Sequence, residues 1–81
     1  MNGTEERPLS AQLTTALLLI AQFDEQIREW EGMGVKRRAR TVRGRDLARR
    51  IDGMREGRAK WLKRAEEIQA RIAAAAEQPE S

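Results

Sequence analysis

The chain contains no cysteine, no histidine and no tyrosine. Without cysteine there can be no disulfide and no thiolate metal site. The three absences together remove the commonest general bases and nucleophiles, so an enzyme reading is disfavoured. They also exclude a zinc-finger module, which needs both Cys and His. Aromatics are nearly absent as well, with one Phe and two Trp, so any core must be aliphatic. The longest apolar run, Ala16 to Ala21, is six residues, against the roughly 20 that a membrane span requires. The first six residues are acidic and lack the apolar stretch of a signal peptide. Nothing in the chain spells out a metal, cofactor or small-molecule site, and no glycine-rich phosphate loop accompanies Gly32-Met33-Gly34.

What is present is periodicity. Leu9, Leu13, Ala16, Ile20, Phe23, Ile27 and Trp30 recur at steps of three and four. So do Leu47, Ile51, Met54, Trp61, Ala65, Ile68, Ile72 and Ala75, with Arg58 in the slot that breaks the series. Each set forms one narrow stripe on a helix, and such a stripe calls for another helix against it. The fold predicted is therefore mainly α: an antiparallel two-helix hairpin, with a short β-hairpin or turn element between the helices left open.

With 81 residues there is room for one small domain, whose own stability is marginal without a partner or second copy. Residues 1–7 read as a disordered lead-in, 8–31 as a helix, 32–45 as a basic connector, 46–78 as a second helix and 79–81 as a tail. Pro8 or Ser10 suits the start of the first helix. Gly32 and Gly34 are expected to stop it by entering the left-handed conformation. Thr41 is a plausible N-cap for the second. Within the connector, Val35, Arg37, Ala39 and Thr41 alternate with Lys36, Arg38, Arg40 and Val42, which fits a β-hairpin. The spacing of Val35, Ala39 and Val42 fits a helical extension equally.

Folding the two helices back on each other pairs residues whose numbers sum to about 77, given the rise per residue of a helix. Trp61 then meets Ala16, Ala65 meets Leu13, Met54 meets Phe23 and Leu47 meets Trp30. Arg58 falls beside Ile20 and near Asp24, which predicts a partly exposed ion pair. The stretch from Arg71 to Gln78 has nothing opposite it, and its four alanines form either a frayed end or a docking surface.

Charge is distributed unevenly. Residues 1–31 hold six acids and two bases, 32–45 hold six bases and no acid, and 46–81 hold seven acids and eight bases. The run Lys36, Arg37, Arg38, Arg40, Arg43 and Arg45 is thus a candidate contact for phosphates or for acidic protein surfaces, or else a solvated basic loop. No aromatic is interleaved, so stacking on single-stranded bases is not supported. Leu18 points away from the stripe and marks either one exposed leucine or a second packing face. Gly53 and Gly57 lie four apart on a flank of the second helix. They are either a tolerated weakness or a place where another backbone approaches closely. Leu18, Gly53 and Gly57 form the candidate self-assembly face.

A helix, a short basic segment with glycine, and then Arg40-Thr41-Val42-Arg43-Gly44-Arg45-Asp46-Leu47 leading into a helix with Ile51-Asp52 resembles the small gpW-like head–tail joining proteins of tailed bacteriophages. The likeness runs from about Leu13 to Ile68. It implies two antiparallel helices flanking a β-hairpin, and copies assembled as a ring beneath the portal. The role implied is a non-enzymatic structural adaptor acting as a homo-oligomer, with portal and neck proteins as partners and non-specific contact with DNA. The implied location is the host cytoplasm before assembly and the virion after it. The alternative is a small regulatory or inhibitory protein whose basic loop binds nucleic acid or an acidic host protein.

Overall fold

A computed structural model describes residues 7–77. The expected tail over 79–81 and all but Arg7 of the expected lead-in lie outside the described residues. Three helices follow in order: α1 (Leu9–Glu31), α2 (Val35–Arg40) and α3 (Val42–Glu77). The expectation of a two-helix hairpin is therefore corrected to three helices, and no described residue is in a strand. The basic connector is itself helical over most of its length, and its residues 42–45 form the first turn of α3. The β-hairpin implied by the phage resemblance is absent from the described residues. The reason is local supply of hydrogen bonds. A lone two-stranded hairpin pairs only its inner edges and is marginal in water, whereas Lys, Arg and Ala are good helix formers that satisfy their backbone within one segment.

The long helices lie antiparallel and α2 tucks against the start of α3. The molecule measures 63 × 27 × 14 Å with a radius of gyration of 17.6 Å, against about 12 Å for a compact chain of this length. At 14 Å thick it is one helix deep, because a helix with its side chains is already about 10–12 Å across. Each helix can bury only the stripe that faces its neighbour.

That stripe forms two clusters. Ile27, Met33, Leu47, Ile51 and Met54 pack with Phe23 and Trp30 near the corner. Ala16, Ile20 and Ala65 pack with Leu13 and Trp61 farther along. Between them Arg58 Nε donates to Asp24 Oδ1, with side chains 39% and 32% exposed. The arginine that breaks the stripe thus keeps its charge at the rim of the seam while its stem crosses it. No polar or charged side chain is buried among the described residues. Beyond Ile68, which is fully buried, the rest of α3 is exposed apart from the half-buried Ile72.

α1 does not end on a left-handed glycine, as the sequence suggests. Gly32 has φ −81° and ψ −8°, and no described glycine has positive φ. Instead the Gly32 and Met33 amides donate to the Arg28 and Trp30 carbonyls at 2.9 and 3.1 Å. Met33 then turns into the core, a role its place in the connector concealed. The α2–α3 joint is a single residue. Thr41, extended at φ −106° and ψ 153°, donates its hydroxyl to the Arg37 carbonyl at 2.6 Å and accepts the Gly44 amide at 2.9 Å. The same oxygen closes α2 and caps α3.

Gly44 makes this joint possible. A Cβ there would lie 2.7 Å from Arg38 Cα and 2.8 Å from the Arg38 carbonyl oxygen, and would also strike the Arg37 carbonyl. These are backbone atoms that cannot swing aside. Gly53, by contrast, has nothing within 4 Å. Gly44→Ala should therefore destabilise the fold by about 1–3 kcal/mol through overpacking, whereas Gly53→Ala should stabilise it by about 1 kcal/mol through helix propensity. Urea unfolding followed by circular dichroism separates the two, and equal effects of the same sign would contradict the close approach at Gly44.

Candidate functional site

The six cations expected to act together are divided by the structure into two groups. Arg38 turns inward. Its Nε and Nη2 donate to the Trp30 carbonyl at 3.3 and 3.0 Å, and its guanidinium lies 4.1 Å from the Trp30 ring centroid. It thereby satisfies an end carbonyl of α1 and stacks on the aromatic beside it. Arg43 reaches across to α1, where it makes a bidentate pair with Glu29 at 2.6 and 2.8 Å. Arg45 points back to the Ala39 carbonyl at 3.5 Å. These three hold the corner together.

Lys36, Arg37 and Arg40 are exposed, and no carboxylate among the described residues forms a salt bridge with any of them. The nearest acid on α3, Asp46, lies within 4.0 Å of Arg43, 3.7 Å of Arg49 and 3.3 Å of Arg50. One carboxylate thus faces three guanidiniums, and the corner stays strongly positive.

The expected self-assembly residues also part company. Leu18 is 60% exposed and its neighbour Leu17 48%. Gly53 is exposed with open space above it. Gly57 is not available to another molecule. A Cβ there would come 2.7–3.2 Å from ring atoms of Phe23, so the close approach it permits is to the chain's own α1.

The exposed face at Leu18 extends beyond that one residue. From Pro8 to Phe23 the sequence has no charged residue. The outward side of that half of α1 presents Thr14, Leu17, Leu18 and Ala21, all exposed. Leu18 and Ala21 line a shallow groove that ends at Glu25 and Arg28. In the sequence this face is marked by the charge-free stretch from Pro8 to Phe23. No helix is long and apolar enough to cross a membrane. Among the described residues no three His, Cys, Asp or Glu side chains are grouped as a metal site.

The Glu29–Arg43 pair carries a pH signature. Hydrogen bonds from Arg43 hold the Glu29 carboxyl below its ordinary value of 4.5, partial desolvation opposes this, and the charges of Arg43 and Arg37 add to the lowering. The same hydrogen bonds raise the Arg43 guanidinium. A carboxyl lowered on folding stabilises the fold fully above its unfolded value and loses that effect as pH falls through its folded one. At low salt, the melting temperature of the parent chain should exceed that of Glu29→Gln above pH 4.5. The gap should close on acidification below it. A gap independent of pH would show that the pair contributes nothing.

No family model matches the chain, and neither a curated protein nor a solved structure is similar to it.

Proposed function

We propose that this protein is a non-enzymatic structural adaptor that works as a homo-oligomer, in the manner implied by its resemblance to head–tail joining proteins. The antiparallel pairing of α1 and α3 and the string from Thr41 to Leu47 support the resemblance, while the missing β-hairpin counts against it. The reading rests on one observation more than any other. The slab is 14 Å thick, and the solvent side of α1 from Pro8 to Phe23 is uncharged and bears two exposed leucines.

A second copy suits that face. In a ring each copy uses two different faces, so this patch would supply one half of every contact and a second face of the next copy the other. Covering Leu17, Leu18 and Ala21 adds a second apolar layer to a core that has only one, and a domain this small has little stability otherwise. The densely charged back of α3 stays in water.

Mass measured by sedimentation equilibrium across a concentration series tests the reading. The parent chain should populate a species larger than the monomer. Leu18→Glu should return it to monomer and lower its melting temperature, while Val35→Glu, at an exposed site on the corner, should leave the mass unchanged. A parent chain that stays monomeric at all concentrations, or a Leu18→Glu chain of unaltered mass, would overturn the proposal.

A further inference from the structure

The corner formed by α2 and the first turn of α3 presents Lys36, Arg37 and Arg40 with no salt bridge to any carboxylate among the described residues, although the charge of Arg37 also acts on Glu29. Arg38 fixes which way α2 faces, since its guanidinium is held on Trp30. Lys36 and Arg40 stand two positions to either side of it, each about 200° around a helix of 3.6 residues per turn. They therefore point to solvent, one turn and about 6 Å apart, and Arg37 flanks them.

This α2 face is not a flexible loop. Thr41 bonds both helices across the joint, Gly44 lets the backbones touch, and Arg38 and Arg43 tie the corner to α1. These three cations, none of them in a salt bridge among the described residues, are presented by a stiff frame, which lowers the ordering cost of binding.

The order of charge and apolar surface identifies the partner class. Protein interfaces have an apolar centre and a polar rim. Here the apolar residues beside the charges are Val35 and Val42, 81% and 78% exposed, which flank them in the sequence. That is too little apolar surface to form a desolvated core or to enter a lipid bilayer. The one aromatic at the corner, Trp30, already has its ring face covered by Arg38, so no base can stack there. What remains is recognition of closely and regularly spaced anions by point charges on long arms. A duplex backbone offers this, with one charge about every 3.4 Å along each strand.

We infer that Lys36, Arg37 and Arg40 form a docking surface for the phosphate backbone of double-stranded nucleic acid, without sequence preference. The surface lies on a different part of the molecule from the uncharged face of α1 and does not depend on self-association.

Fluorescence anisotropy of a labelled duplex of about 20 base pairs, titrated with the full chain over a salt series, tests this. Three phosphate contacts predict a slope of about −2.7 in log K against log salt. Replacing Lys36, Arg37 and Arg40 together with Gln should weaken binding at low salt by about tenfold or more and flatten the slope. Lys60→Gln with Lys63→Gln, which removes as accessible a pair of cations from α3, should change affinity less than about twofold. Circular dichroism checks that helicity is retained. Should the triple variant lose it, Arg40→Glu alone, at an exposed position, carries the same test. Several results would sink the inference: no binding by the parent chain, binding unaffected by the α2 substitutions, or equal losses from the α2 and α3 variants. So would a marked preference for one base sequence, or binding to phosphatidylserine vesicles that the duplex fails to compete away.

Discussion

Every feature of this molecule follows from a core that is one side chain deep. Two helices side by side bury one stripe each and no more, so the stripes must be narrow and continuous. They are interrupted only where Asp24 and Arg58 meet, and the slab is thin enough to leave both groups at its rim. No polar group needs burial, and none among the described residues has it. The same thinness leaves the back of each helix in water. The two backs have solved that exposure differently: α3 by dense mixed charge, α1 in its first half by small polar and apolar residues with no charge at all.

The corner is where a thin structure gains rigidity. Three small devices converge on it. Gly44 removes a side chain so that two backbones meet, Thr41 shares one hydroxyl between two helix ends, and Arg38 covers both the carbonyl and the ring of Trp30. Three arginines of the basic run, Arg38, Arg43 and Arg45, make their contacts within this corner. Lys36, Arg37 and Arg40, which form no salt bridge among the described residues, sit at the corner, and the exposed leucines of α1 lie about halfway along that helix. The two proposed surfaces therefore do not overlap, and an assembly presenting several copies of a weak cationic site would bind far more tightly than one copy.

The long-range layout was legible because it is written in periodicity. The stripes specify which residues meet, and Trp61 with Ala16, Ala65 with Leu13 and Met54 with Phe23 share clusters as their spacing requires. Arg58 could be matched to Asp24 for the same reason. The connector was not legible in this way. Six residues complete fewer than two turns, so the spacing of Val35, Ala39 and Val42 left helix and hairpin equally open, and the contacts at Gly44 and Trp30 that add to local helix propensity have no pattern of their own. Gly32 carried a misleading signal, since a glycine after a helix usually marks a left-handed residue, yet here the chain leaves along an ordinary right-handed path. Gly57 was read for its openness, but that opening is filled by Phe23 from the same chain.

The antiparallel arrangement also sets an order of assembly. Partners near the corner are close in sequence, Glu29 and Arg43 being 14 residues apart, while Asp24 and Arg58 are 34 apart. Closing the longer loop first costs about 0.8 kcal/mol more in chain entropy than closing the shorter one. The cheapest route to the native state therefore begins at the Gly44 crossing and zips away from it. By this loop-entropy argument the stiff corner is the cheapest place to begin, and the start of α1 with the part of α3 it packs on closes last.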